Sequence, residues 1–341
     1  GTGTAKAGLY PAIKVDVMKR RGHSVMSFNK LVLLAVASLL WMNAAADGED
    51  VDKSLPASAD TLVSVNVQRG SVKLRGWDKN EVRVYGTLDE QTREFIFEER
   101  GDEIRIHVRV HDRKNGWFSD GQASDLTINI PSSSKIEFGG VSTDVDVRDF
   151  EGVVDMGVVS GDLYLEGGSG RVTVQTVSGD IEIHDSDGRV RVKSVSGDVE
   201  SYNTTGDSSY SSVSGDLLIE DGGRDLRLET VSGDVEVNNK EMDNVGGHSV
   251  SGDIKIKGDP VAGGTIEFDS VSGSIRLRLG GDVNASFDIE TGSGSIRNRI
   301  SDDKPRVSKY MRDDTLRFSL GDGEGQVIIT TRSGDISIGS R

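Results

Sequence analysis

A Ser-Gly step, most often inside Val-Ser-Gly-Asp, returns along this chain at Gly161, Gly179, Gly197, Gly215, Gly233, Gly252, Gly273, Gly294 and Gly334, at gaps of 18, 18, 18, 18, 19, 21, 21 and 40 residues. A period near twenty residues confines the fold to architectures in which one small unit stacks on the next. Between the glycines the apolar residues sit two apart, the spacing of a strand whose alternate side chains share one face. One repeat reads as a turn at Ser178-Gly179, a strand with Ile181 and Ile183 inward, a second turn over 184–188, and a strand with Val190 and Val192 inward. The same places recur as Leu163/Leu165, Val199, Leu217/Ile219, Val235/Val237, Ile254/Ile256, Ile275/Leu277 and Ile336/Ile338, and on the second strand as Val172/Val174, Leu226/Leu228, Ile266/Phe268 and Phe287/Ile289. The pattern predicts an all-β, single-stranded β-solenoid (β-helix) of about ten coils, each 18–21 residues long. Its apolar spacing is not the strict six-residue step of a left-handed hexapeptide helix, so a two- or three-faced coil of other geometry is expected.

Composition fits a thin-cored stack. Only 35% of the 341 residues are hydrophobic and 5% aromatic, while Gly reaches 43 and Pro 5. That balance suits neither collagen nor a disordered segment, because Val, Ile and Leu recur in strict order.

Near the N-terminus, Lys19, Arg20, Arg21 and Lys30 precede an apolar run from Leu31 to Met42 and then Asn43-Ala44-Ala45-Ala46. This is the charged, apolar and small-residue succession of a secretory signal, and the run is shorter than the roughly 20 residues that span a bilayer. The expectation is cleavage after Ala46 and a periplasmic, cell-surface or secreted protein, with no stable membrane span after cleavage. Residues 47–341 carry 34 Lys/Arg against 55 Asp/Glu, a net charge of −21. Such acidity disfavours nucleic acid and anionic lipid as partners and favours solubility and cation binding. Cysteine is absent, which excludes disulfides, thiolate zinc sites and the acylated Cys of a bacterial lipoprotein.

Four segments follow: 1–46, upstream segment and signal peptide; 47–60, an acidic linker; 61–140, an irregular β-rich capping region; and 141–341, the solenoid repeats. The repeats open at Val141-Ser142-Thr143-Asp144, where Thr143 replaces the glycine. A cap is needed physically, because the open end of a solenoid exposes unpaired strand groups that invite polymerisation. Residues 113–124 read as an exposed loop, and the 40-residue gap before Gly334 as an imperfect coil.

Four sets of residues bear on chemistry. Asp162, Asp180, Asp198, Asp216, Asp234 and Asp253 form one file of carboxylates, which calcium could use as hard oxygen ligands. The simpler expectation is that each Asp caps its own turn by accepting backbone N–H groups. The serines beside them, Ser160, Ser178, Ser196, Ser214, Ser232, Ser251 and Ser272, lack a base at a recurring position, so they read as hydroxyls closing turns rather than nucleophiles. Outward positions of the first strand run Tyr164, Glu182, Glu200, Leu218, Glu236, Lys255, Arg276 and Arg297, from acidic to basic; those of the second, Arg191, Arg227, Glu267 and Asp288, run the other way. A solvated surface with register-setting neighbours accounts for this; a patterned face for a charged ligand or glycan accounts for it too. Finally, Trp77 and Trp117-Phe118 could stack on a sugar or pack the cap.

The opener Gly70-Ser71-Val72-Lys73-Leu74-Arg75-Gly76-Trp77-Asp78 with Val82-x-Val84, followed by iterated Val-Ser-Gly-Asp-Ile/Val-x-Ile/Val turns, resembles a family of bacterial putative-adhesin domains of unknown function, over roughly residues 60 to 341. The resemblance implies a β-solenoid exported to the envelope and brings no catalytic motif. The chain departs from it where Asp gives way to Ser274 and Ser295. The resulting expectation is a non-enzymatic, exported cell-envelope protein without a cofactor, an adhesin-like binding or scaffold module for an envelope or surface ligand, glycan or protein. A carbohydrate-active β-helix enzyme and a calcium-stabilised structural repeat are the alternatives.

Overall fold

The computed structural model describes residues 48–111, 121–280, 282–307 and 313–341, so the signal-peptide reading and the Trp117-Phe118 pair lie outside the described residues. Every regular element among them is a strand. No helix there is long and apolar enough to cross a membrane. In the centre, Arg171–Ser178, Arg189–Ser196, Ser208–Ser214 and Asp225–Ser232 pair in parallel, each residue with its counterpart one repeat later. Leu163–Glu166, Ile181–His184, Val199–Tyr202 and Leu217–Glu220 do the same on a second face. The chain passes between the two faces at the Ser-Gly step and returns through a bend where Asp149, Asp185, Asn203 and Asp221 adopt φ of 49–62°. Asp and Asn are the non-Gly residues that tolerate that conformation best.

In-register stacking puts like on like. Ile181 and Ile183 are 1% exposed and Val190 and Val192 0%, and every inward residue named from the sequence belongs to one continuous core. At one layer Ser201 stands between Ile183 and Ile219. Tyr210 fills the space, its phenol 2.6 Å from Ser201 Oγ, so a buried ring keeps its polar tip partnered.

Three sequence expectations are corrected. First, the 47–60 segment is not a free linker: Asp50–Pro56 is a strand, antiparallel to Glu81–Thr87. Its acidic side chains point out and backbone pairing does not require apolar ones; Val51 docks into the core, 6% exposed, and Leu55 packs against it half-buried. Second, the ordered stack begins before 141. Leu62–Trp77 pairs in register with Lys135–Arg148, setting Gly70 against Thr143. The residues between them form a further layer, Glu103–Val110 and Ser124–Pro131, on the other side of Leu62–Trp77. Antiparallel Thr92–Arg100 and Glu81–Thr87 then cover that layer.

Third, the 40-residue gap is not an imperfect coil in sequence order. Gly325–Ser333 lies between Ile254–Ser272 and Ala285–Thr291, and Ile336–Ser340 between Ile275–Leu279 and Ile296–Asn298. The last repeat of the sequence is therefore slotted inside the stack. The segment before it, Asp314–Leu320, turns back antiparallel to Ala285–Thr291. Outermost strands at both ends are short or charged: Ile296–Asn298 and Arg306–Val307 have three and two residues. Asp50–Pro56 carries Lys53 and a proline, and Thr92–Arg100 five charged side chains. These features discourage edge-to-edge pairing.

Candidate functional surface

The aspartate file is a clamp between layers. Asp144 Oδ1 accepts the Asp162 backbone N–H at 3.0 Å, and the pattern continues from Asp180 to Asp162 at 3.0 Å, Asp198 to Asp180 at 2.8 Å, Asp216 to Asp198 at 2.8 Å, Asp234 to Asp216 at 2.7 Å and Asp253 to Asp234 at 2.8 Å. Ser274 N–H completes the run on Asp253 at 2.9 Å. The expectation that each Asp caps its own turn is corrected, since at a layer spacing of roughly 4.8 Å the next layer's amide is within reach. The file follows space rather than sequence at the C-terminal end, where Ser295 donates both N–H and Oγ–H to Asp335 Oδ1 at 2.9 Å. Those bonds hold the Asp335 carboxyl below its ordinary range. Among the described residues no three acidic or histidine side chains converge on a metal-sized space.

The serines of the Ser-Gly steps are exposed. Their carbonyls join one turn to the turn of the neighbouring layer, as when Ser196 O accepts Gly179 N–H at 3.3 Å. The inward hydroxyls belong to a neighbouring file two residues earlier, Thr176, Ser194, Ser212, Thr230, Ser249 and Ser270. Parity along the strand decides this: Thr176 shares the inward phase of Val172 and Val174.

The outward file of the second face runs as the sequence indicates, Tyr164 over Glu182, Glu200, Leu218, Glu236, Lys255 and Arg276, but Ser337 separates Arg276 from Arg297. Beside it His184 stacks on Tyr202 at 4.8 Å and meets Tyr164 at 5.4 Å, with the Arg148 guanidinium 4.9 Å above Tyr164. Acids bracket this row of rings: His184 Nε2 is 2.6 Å from Glu182, and the Tyr202 hydroxyl donates to Glu200 at 2.7 Å. That bond, with partial burial, pushes the Tyr202 phenol up to about 12. A groove of about 500 Å³ runs here between the aspartate file and Asp146, Tyr164, Glu182 and Glu200. Further along, Lys257 at 2.8 Å and Lys255 at 3.7 Å flank Glu236 and lower its carboxyl pKa.

The first face carries a second groove of about 650 Å³, with Ser209 and Gly246 in its lining. Arg189 and Arg191 rim one side, Glu267 and Asp269 the other. Arg227 pairs with Glu229 at 3.1 Å across its middle. Arg191 and Lys193 have no ion-pair partner among the described residues. Trp77 packs within the cap, its Nε1–H on the Glu81 carbonyl at 2.8 Å and Lys79 over its ring at 4.6 Å.

One surface feature escaped the sequence reading. The valines of Val-Ser-Gly are not core residues: seven of them, with Val141 of Val-Ser-Thr, stack at the bend between the faces, from Val141 at 50% to Val271 at 40% exposure. Strand phase was the available signal, because Val177 is one step out of phase with Val172, Val174 and Thr176.

No curated protein matches the chain. Among solved structures, a putative lipid binding protein from Parabacteroides distasonis ATCC 8503 is similar at 13% identity, with a TM-score of 0.41, over 85% of this chain and 97% of that one. A putative adhesin from Bacteroides fragilis NCTC 9343 is similar at 15% identity, with a TM-score of 0.39, over 69% of this chain and 98% of that one. Both likenesses are distant. The family match is extensive, from the opener at Gly70 through the last Ser-Gly step: over residues 61–339 the chain belongs to the Toastrack DUF4097 family.

Proposed function

We propose that this protein is a non-enzymatic, exported module of the cell envelope, a single-stranded β-solenoid that serves adhesin-like binding or scaffolding. The observation that carries this reading is the division of labour between columns of side chains. Inward ladders and the aspartate clamps repeat with little change from layer to layer, whereas the outward file passes from Glu182 and Glu200 to Lys255 and Arg276. A reaction needs one asymmetric constellation of groups; a graded charged face suits an extended ligand held by many small contacts. Export rests on the charged, apolar and small-residue succession ending at Ala46.

The test is a pull-down of envelope fractions and glycans with the protein, with and without EDTA. Binding should survive EDTA, weaken with salt, and fall in small steps as Glu182→Gln, Glu200→Gln and Glu236→Gln are combined. Loss of binding in EDTA would favour the calcium-stabilised alternative. Turnover of a polysaccharide, abolished by changing a single carboxylate, would replace this reading with the enzymatic one.

A further inference from the structure

We propose that the valine file is the contact surface for a second copy of this chain. Eight valines, each 39–50% exposed, stack at a layer spacing of roughly 4.8 Å, giving an apolar stripe about 34 Å long. Gln68 and Arg332 continue the column at its two ends, so the stripe has polar limits. A contiguous apolar patch of a few hundred Å² on a soluble protein marks an interaction surface. Two features select a second copy as its occupant. The first is period: a partner must offer apolar groups at every layer spacing along a straight line, and an identical stripe does so by construction.

The second is charge. Beside the stripe, the layer of Val195 carries Arg191 and Lys193 on its first face and Glu200 on its second; further along, the layer of Val271 carries Glu267 and Asp269 on its first face and Arg276 on its second. Signs thus oppose across the stripe and exchange along it. A two-fold axis parallel to the stripe brings the second face of one copy beside the first face of the other, layer by layer. A two-fold perpendicular to it brings each face beside its own reversed image. The parallel arrangement sets Glu200 against Arg191 and Lys193, and Arg276 against Glu267 and Asp269, each within one layer, whereas the perpendicular one centred on the stripe sets Glu182 against Glu236, so charge favours the parallel axis. An isologous contact of this kind closes on itself and makes a dimer rather than a fibre. The stripe alone falls short of the roughly 800 Å² per partner of a standard interface, so the flanking charges must contribute and the dimer should be salt-sensitive. A lipid surface fits less well, because the net charge of −21 for residues 47–341 repels anionic headgroups.

The absence of cysteine from the chain makes a clean test. Val159→Cys, Val213→Cys and Val250→Cys, at exposed positions that leave the core intact, are oxidised singly, with Glu220→Cys as an exposed control away from the stripe. Sedimentation of the unsubstituted protein is measured over a hundredfold concentration range at low and high salt. The expected result is a monomer–dimer equilibrium weakened by salt, at least tenfold more cross-linking at Val213→Cys than at Glu220→Cys, and at least a tenfold rise in dissociation constant for Val177→Lys/Val213→Lys with unchanged circular dichroism. Cross-linking at all three valines places the two-fold parallel to the stripe, and at Val213 alone perpendicular to it; either supports the dimer. A monomer at every concentration, with valine variants linking no faster than the control, overturns it. So does binding of the monomer to phosphatidylcholine vesicles that is lost in the double lysine variant.

Discussion

Gly197→Ala tests the stacked bend directly. Gly197 sits at φ 128°, and a β-carbon there would lie 2.2 Å from the Gly179 carbonyl oxygen of the preceding layer. Conformations reserved for glycine cost other residues about 1–3 kcal/mol. The clash must also be relieved by lifting one layer from the next. That movement loosens the Gly179 N–H bond to Ser196 O at 3.3 Å and the Asp198 N–H bond to Asp180 at 2.8 Å, each worth about 1 kcal/mol net. The sum is about 3–5 kcal/mol. Gly157→Ala is the matched control: it lies in a strand on the first face, and a β-carbon there meets nothing within 4 Å. It should be neutral or stabilise by up to about 1 kcal/mol, since glycine in a strand interior loses more backbone freedom on folding. Equilibrium urea unfolding followed by far-ultraviolet circular dichroism measures both. With an m-value near 3 kcal/mol/M, Gly197→Ala should lower the midpoint by about 1 M or more. Coincident midpoints for Gly197→Ala and the parent, at unchanged slope, would show that the layers are not held at the spacing argued here.

Ile181→Asp or Val190→Asp should cost several kcal/mol by burying an unpaired carboxylate, whereas Glu182→Ser should stay within about 0.5 kcal/mol; equal losses in thermal melts would reverse the inward and outward assignment. Acid should destabilise the protein through Asp146 and Glu236. Burial raises the Asp146 carboxyl, but hydrogen bonds from Arg75 and Arg148 outweigh it, and the hydrogen bond from Lys257 leads in lowering Glu236. Folded-state values below the unfolded ones mean that stability is fully present above the ordinary carboxylate range and is lost as pH falls through the depressed values. Asp146→Asn with Glu236→Gln should therefore flatten the acid limb of the stability profile, and an unchanged limb would place the sensitivity elsewhere. Ending the chain after Asp322 removes an interior layer, so it should broaden the unfolding transition and open residues 285–298 to protease. A variant that melts sharply, like the parent less one repeat, would refute the interleaved order.

Much of the frame was legible because period-two alternation and a glycine at a bend are local signals. Ile181, Val190 and their counterparts had to face inward, and the Ser-Gly steps had to turn the chain. Three features were hidden for different reasons. Leu62–Trp77 is separated from its in-register partner by an inserted layer, so no spacing count along the chain could join them. The final repeat stacks on Gly273, and Gly294 stacks on the final repeat, so order in space departs from order along the chain and no local signal records it. The exposed valines went unread, since hydrophobicity argues for burial while strand phase argues against it. The charge files, by contrast, were legible as patterns; their significance was not, because a solvated surface and a binding face share the same residues until neighbours are known.

Those neighbours separate two kinds of contact. Clamps between layers use positions that hardly vary: the aspartates, the turn glycines and the inward ladders. Many outward side chains pair along their own strand instead, two residues apart, as in Glu182 with His184, Glu200 with Tyr202, Arg227 with Glu229 and Asp146 with Arg148. A pair confined to one strand, as Arg227 with Glu229, can be exchanged without disturbing the layer above or below, whereas Asp146 also binds Arg75 and His184 also stacks on Tyr202 across layers. Effects of substitutions more than about 7–10 Å apart usually add, so outward pairs separated by two layers should contribute independently to whatever the face binds. The stack therefore lets a long surface vary layer by layer at little cost to the fold, which is the property an extended recognition surface requires and a single catalytic pocket does not.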